Sequence, residues 1–160
     1  MQAHCTFLSP PSLARLAETG TAVAHCPLSN AYFSAAPFRL REALDARVRV
    51  GLGTDIAGGY ALDIMSAMRH AVTVSRMREG TRTLRRAGAG EGAGEGQGEE
   101  GEGGAKALSI DWKEALFLAT KGGADALNLP KGSGTFAVGA PFDAQCSKSW
   151  SLRVCRCKLI

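Results

Sequence analysis

Three side chains in the first 55 residues have the types and settings that hydrolytic chemistry uses: His4, His25 and Asp55. Asp55 ends the run Val48–Asp55, VRVGLGTD, and Gly58-Gly59 follow it before a helix-like segment begins. A buried parallel strand delivers a carboxylate to the mouth of an α/β barrel in this way, because the C-terminal strand ends of such barrels carry catalytic residues and metal ligands. His25 closes a second apolar run, Thr21–Ala24, and His4 stands near a further candidate strand end. An imidazole and a carboxylate around Zn2+ suit hydrolysis, since the ion lowers the pKa of bound water to about 7 and the carboxylate can move its proton. The plainer alternatives remain open at this point. A Gly-Thr-Asp turn is common where a strand leads into a helix, with the aspartate as a helix cap, and both histidines could be satisfied structural groups.

The visible donor set is short. A catalytic zinc site takes three protein ligands and keeps one position open. The sequence has three histidines, no two of them separated by a single residue, and Phe7, Leu28 and Thr73 stand where a glutamate three residues later would complete an HxxE motif. Neither an HxH pair nor an HxxE acid–base motif is present. His70, inside a helical stretch beside Arg69, reads as an ordinary surface or boundary histidine.

The elements that must position these residues alternate. Ser9-Pro10-Pro11 is a helix start, with Ser9 or Ser12 able to cap, and Leu13, Leu16 and Ala17 repeat at helical spacing until Gly20. The Thr21–Ala24 run then reads as a buried strand with His25 at its C-terminal end. Ser29, Asn30, Ser34 and Pro37 break any period over Leu28–Pro37, which reads as loop, and Phe38, Leu40, Ala43 and Leu44 make a short amphipathic helix before the strand Arg47–Gly53. Leu62, Met65, Met68, Ala71, Val72 and Met77 give Ala61–Arg78 the stripe of a helix covering a sheet. Helices and strands alternating with short connections predict βα units and a parallel sheet.

Beyond this helix the pattern changes. Ala87–Ala105 is glycine-rich, carries five glutamates and has no bulky apolar residue, so it reads as a disordered insertion that cannot bury enough surface to order itself. Arg82, Arg85 and Arg86 precede it as a solvated edge. Asp111 and Glu114 are spaced as a capping box ahead of an apolar face formed by Ala115, Leu116, Leu118, Ala119, Ala126 and Leu127. Phe136–Val138 and Phe142–Ala144 read as short strand pieces, and from Cys146 onward no period holds.

Size and composition bound the function. At 160 residues the chain suffices for one domain with a core, and its 45% apolar content is that of a globular protein. A whole (β/α)8 barrel needs about 250 residues. No run of roughly 18 apolar residues predicts a membrane span, and no signal peptide is visible, so an intracellular setting is the expectation. Five cysteines without a spaced framework argue for reduced thiols. The net charge of +4 is accounted for by Lys148, Arg153, Arg156 and Lys158 in a tail without acidic residues, and says little about nucleic acid. The terminal Cys157-Lys158-Leu159-Ile160 is a poor match to a prenylation box; a divergent, unordered end is the simpler reading.

Taken together, His4-Cys5 with Leu8-Ser9, then Ala24–Asn30 (AHCPLSN), then Gly51–Gly59 (GLGTDIAGG) resemble the guanine deaminases of the amidohydrolase superfamily, in that order and spacing. Ala119–Leu127 and Gly134–Ala144 continue the match, so that it spans roughly residues 2–145 apart from the glycine/glutamate stretch. The resemblance implies an α/β fold made of the C-terminal part, about the last three βα units, of a (β/α)8 TIM-type barrel. Residues 1–86 would form these units, 87–106 a disordered insertion, 107–145 a C-terminal helix and the start of a return strand, and 146–160 a divergent tail. It implies a zinc-dependent hydrolase converting guanine to xanthine and ammonia. Asp55 would be a zinc ligand, a substrate contact and the proton acceptor; His4 would position the attacking water and stand as a possible second metal contact. His25 and Asn30 would line or brace the pocket.

The family's HxH pair, third zinc histidine, HxxE glutamate and guanine-gripping arginine would lie on strands one to five, outside this chain, which is therefore expected to be inactive alone. The full-length family implies a cytosolic homodimer acting on guanine, without a nucleic-acid or membrane partner. A non-catalytic isoform that binds full-length subunits through an open sheet edge is the alternative.

Overall fold

Small and β-branched residues in short runs make the sheet. In the computed structural model, which describes residues 1–34, 36–56, 58–89, 106–141, 144–148 and 155–159, β1 (Gln2–Ala3), β2 (Val23–His25) and β3 (Val50–Leu52) lie side by side in that order. All are parallel, with Ala3 opposite Ala24, and Val23, Ala24 and His25 opposite Val50, Gly51 and Leu52. The sheet thereby brings the C-terminal ends of three strands, and the residues that follow them, to one edge.

Helices join the strands, as the alternation predicts. In α1 (Pro10–Glu18) Ser9 is the N-cap, its hydroxyl accepting from the Ser12 amide, and proline occupies the first turn, where its missing N–H is not needed. Leu13 and Leu16 are its buried face. Between β2 and β3 lie two short helices, α2 (Pro27–Phe33) and α3 (Leu40–Asp45). The first corrects the expected loop over Leu28–Pro37: Pro27 opens a helical turn, and the polar residues Ser29 and Asn30, which break the apolar period, are themselves buried. α4 (Ile64–Ala89) follows β3 and extends past the expected end at Arg78. It carries the first three residues of the expected insertion at 87–106; residues 90–105 lie outside the described residues.

The later segment packs on this layer. Asp111 and Glu114 form the expected capping box at α5 (Trp112–Ala119), each side chain bonded to the other's backbone N–H. The apolar face does not run on as one helix. The backbone breaks at Thr120 and restarts as α6 (Lys121–Ala126), because the Gly122-Gly123 pair lets it lie directly on β3. A Cβ on Gly51 would stand 2.9 Å from the Gly123 Cα, so two backbones touch where side chains would not fit.

The expected strand at Phe136–Val138 is absent: these residues lie in a turn region with Phe136 and Val138 exposed. Phe142-Asp143 falls outside the described residues. Ala144, the last residue of the expected strand piece, opens β4 (Ala144–Lys148), which pairs antiparallel with β5 (Cys155–Leu159); this corrects the expectation of an unordered tail, because backbone pairing across the two strands needs no apolar period.

Leu13, Leu16, Val23, Phe38, Leu40, Ala43, Val48, Val50, Met68, Ala71, Ile110, Ala115 and Leu118 form one apolar core between the sheet and the helices. Each large member contributes about 1.5–3 kcal/mol by leaving water. Arg41 locks α3 to α5 through Glu114 (2.8 Å) and the Ser109 carbonyl, and Arg78 locks α4 to α3 through Glu42 (2.5 Å). Among the described residues no helix is long and apolar enough to cross a membrane.

Candidate active site

The parallel register places His4 just past β1, His25 at the end of β2 and Asp55 three residues past β3. His4 and Asp55 meet: the His4 Nε2 lies 3.8 Å from the Asp55 Oδ2. They line a cleft of about 310 Å3 together with Ser29, Asn30, Phe33 and Ser34. His25 does not reach the cleft. It is 3% exposed and packs at 5.0 Å against the Phe38 ring.

Asn30 connects the two histidines. The His4 Nδ1–H donates to the Asn30 Oδ1 at 2.9 Å, and the Asn30 Nδ2–H donates to the His25 Nδ1 at 3.3 Å. Asn30 is itself 3% exposed. It reaches this place because Pro27 starts α2 immediately after β2, so that the second exposed-type residue of the helix turns inward between two histidines.

Backbone geometry at both cleft residues is unusual. His4 (φ 63°) and Asp55 (φ 50°) lie in the left-handed region, which costs a non-glycine residue about 1 kcal/mol. At Asp55 the turn is held by its carbonyl, which accepts from the Gly58 and Gly59 amides at 2.7 and 2.6 Å. A Cβ on Gly59 would fall 1.9 Å from the Thr54 carbonyl oxygen, and one on Gly58 2.5 Å from the Asp55 Oδ2. The glycine pair is thus what lets the chain fold back against the carboxylate. Helix capping, the plainer role open to Asp55, falls to Asp63, whose carboxylate accepts from the Ser66 amide (2.8 Å) and hydroxyl (2.7 Å) at the start of α4.

Burial sets the protonation of the surroundings. It lowers the His25 pKa to about 3, with the nearby His4 and His70 adding to the effect, so His25 is a neutral imidazole at physiological pH. Burial likewise raises the Cys26 thiol to about 11, reinforced by the Asp55 charge, and keeps it from acting as a thiolate. His70, an ordinary boundary histidine by sequence, approaches the Tyr60 hydroxyl through Nδ1 (3.3 Å), and its buried Nε2 has no hydrogen-bond partner among the described residues. The sequence pointed to neither the cleft residues Ser29, Phe33 and Ser34 nor the approach of His70. Only the AHCPLSN run, read as one unit, could have drawn attention to Ser29.

The donors suit a zinc ion. Two ligands at about 2.1 Å in a tetrahedron stand about 3.4 Å apart, close to the observed 3.8 Å, and an Nδ1–H held by an oxygen is how a ligating histidine is normally oriented. They make two donors of a fuller set. Among the described residues no third histidine, cysteine, aspartate or glutamate joins them.

A histidine and an aspartate just beyond the ends of parallel strands thus share one cleft. The model of the amidohydrolase family matches residues 1–91, and the chain belongs to that family. Within it, the chain is 35% identical over 144 residues to guanine deaminase of Rattus norvegicus, covering 90% of this chain and 27% of that protein. It is also similar to the solved structure of Escherichia coli guanine deaminase, with a TM-score of 0.62 and 30% identity over 84% of this chain and 25% of that one. An adenosine deaminase from Xanthomonas campestris, solved with bound zinc, superposes with a TM-score of 0.59 at 25% identity, over 83% of this chain and 25% of that one. The chain spans about a quarter of the length of the relatives it matches.

Proposed function

We propose that this chain supplies the last three βα units of a (β/α)8 barrel in a zinc-dependent guanine deaminase, with Asp55 and His4 as its contribution to the active site. The observation that carries the reading is the convergence of the His4 Nε2 and the Asp55 Oδ2 at 3.8 Å over one cleft at the C-terminal strand ends. The identity to guanine deaminases over nine-tenths of the chain supports guanine as the substrate.

Asp55, with His4 beside it, would hold the metal. Zinc would supply Lewis-acid polarisation of the attacking water. In this reading the Asp55 carboxylate takes the proton of that water as its oxygen attacks C2 of guanine, and the proton passes to the departing amino group. Guanine and water thereby yield xanthine and ammonia. His4 presents its Nε2 to the same space and positions the attacking water by accepting from it, while Asn30 and the neutral His25 brace it from behind. With two donors, the chain by itself is expected to hold zinc weakly and to turn over no guanine. The whole enzyme is read as a cytosolic homodimer.

The test is a chimaera in which residues 2–145 replace the matching part of Escherichia coli guanine deaminase, assayed with zinc for the ultraviolet change from guanine to xanthine. Turnover that falls at least 1000-fold in Asp55→Ala and clearly in His4→Gln is the expected result. A folded, zinc-loaded chimaera without guanine turnover, or one indifferent to Asp55→Ala, would overturn the reading.

A further inference from the structure

The buried amide of Asn30 touches two imidazoles at once, and its two ends are not alike. A carboxamide oxygen only accepts hydrogen bonds, and its nitrogen only donates them. The Oδ1 lies 2.9 Å from the His4 Nδ1, which must therefore carry a proton. The Nδ2 lies 3.3 Å from the His25 Nδ1, which must therefore be bare. We propose that Asn30 is a positioning residue that fixes opposite tautomers in the two histidines, Nδ1–H in His4 and Nε2–H in His25, and so presents the bare Nε2 of His4 to Asp55.

Each part of the arrangement is needed. His25 is 3% exposed and packed against Phe38, so it anchors the amide. Asn30 has its backbone N–H committed to the Cys26 carbonyl and its own carbonyl to the Ser34 amide, so it is held within α2 at both backbone groups. His4, by contrast, is partly exposed and sits on a left-handed backbone, and among the described residues the Asn30 oxygen is the one hydrogen-bond partner of its ring. Without the amide, the neutral imidazole of His4 would return to Nε2–H, the form that histidine side chains favour in water, and point a proton at the cleft. With it, a lone pair and a carboxylate oxygen face one another at 3.8 Å, an arrangement that accepts a cation or a proton donor between them. The same amide turned end for end would reverse both tautomers, and this makes the assignment testable.

The inference rests on the reading above only for its catalytic use; the tautomers themselves can be read without any turnover. The experiment is a long-range 1H–15N correlation spectrum of the 15N-histidine-labelled full chain at pH 8, above the ordinary histidine range. The three imidazoles are assigned through single His→Gln variants. The expected pattern is a pyridine-like Nε2 in His4 together with a pyridine-like Nδ1 in His25. Nε2–H in both residues, or Nε2–H in His4 with Nδ1–H in His25, would overturn the proposal.

Two near-isosteric variants separate a tautomer lock from simple packing. Asn30→Asp keeps an acceptor for His4 but removes the donor to His25, so His4 should keep its tautomer and His25 should lose its own. Asn30→Leu fills the space with neither group, and His4 should revert to Nε2–H; retention of Nδ1–H in that variant would also overturn the idea. Should Asn30→Leu fail to fold, the wild-type and Asn30→Asp spectra decide the matter. In the active chimaera, Asn30→Leu should lower kcat on the order of 10–100-fold. An inactive chimaera with the expected tautomers would sink the function and leave this inference standing; the reverse outcome would do the opposite.

Discussion

Lowering the pH from 8 to 5 perturbs one buried group more than any other. His25 is enclosed, accepts from Asn30 at Nδ1 and holds its proton only near pH 3 in the folded chain, against about 6.5 when unfolded. Below pH 6.5 the unfolded chain therefore binds a proton that the folded chain refuses. The stability that the neutral imidazole contributes is complete above pH 6.5 and falls as the pH drops toward 3, at up to about 1.4 kcal/mol per pH unit. At pH 5 the loss is about 2 kcal/mol, a large part of the 5–15 kcal/mol typical of a domain. His70 is shifted in the same direction by burial and adds to the effect. Glu42, held low by the Arg78 guanidinium despite its burial, matters only further down, in the carboxylate range. Urea unfolding followed by far-ultraviolet circular dichroism at pH 8, 6.5, 5.5 and 5 reads the slope. In His25→Gln the chain is less stable at every pH, but the difference between pH 8 and pH 5 should shrink by about 2 kcal/mol. An unchanged pH dependence in the variant, or a folded-state His25 that titrates near pH 6.5, would refute the reasoning.

Two further expectations concern the scaffold. Gly51→Ala forces a methyl group to 2.9 Å from the Gly123 backbone and should cost about 1–3 kcal/mol in chemical denaturation, whereas Gly80→Ala, with no atom within 4 Å, should stabilise α4 by up to about 1 kcal/mol; shifts of the same sign would contradict the packing described. Asp111→Ala removes one half of the α5 capping box while leaving the Arg41–Glu114 pair in place, and should lower the melting temperature by about 3 °C for about 1 kcal/mol, with Asp111→Asn restoring most of it.

What was legible in the sequence was what is decided locally. Ser9 before two prolines and Asp111 three residues before Glu114 are signals carried by single turns, and both caps form as read. The strands ending at His25 and just before Asp55 were visible because small and β-branched residues run unbroken between glycines and prolines. Long-range partners were not legible. Ser29 and Asn30 read as period-breakers, yet the Asn30 amide is buried with partners five residues back and 26 residues back, and the second of these no local window contains. At Thr120 the apolar face continues while the backbone does not, since Gly122 and Gly123 answer to β3 rather than to their own helix. Phe136 and Val138 have the residue types of a strand but no neighbouring strand to pair with among the described residues, and so remain in a turn. Of the four candidate site residues, His4, Asn30 and Asp55 line one cleft, and His25 stands behind it.

The left-handed backbones of His4 and Asp55 give the cleft a thermodynamic character of its own. Glycine adopts such a conformation freely, so His4→Gly or Asp55→Gly should relieve about 1 kcal/mol of backbone strain at the moment it removes the reactive side chain. Stability and chemistry are thus opposed at the same two positions. A selection for a more heat-resistant fold would draw these residues toward glycine, and their keeping their side chains would register a demand that folding alone does not make.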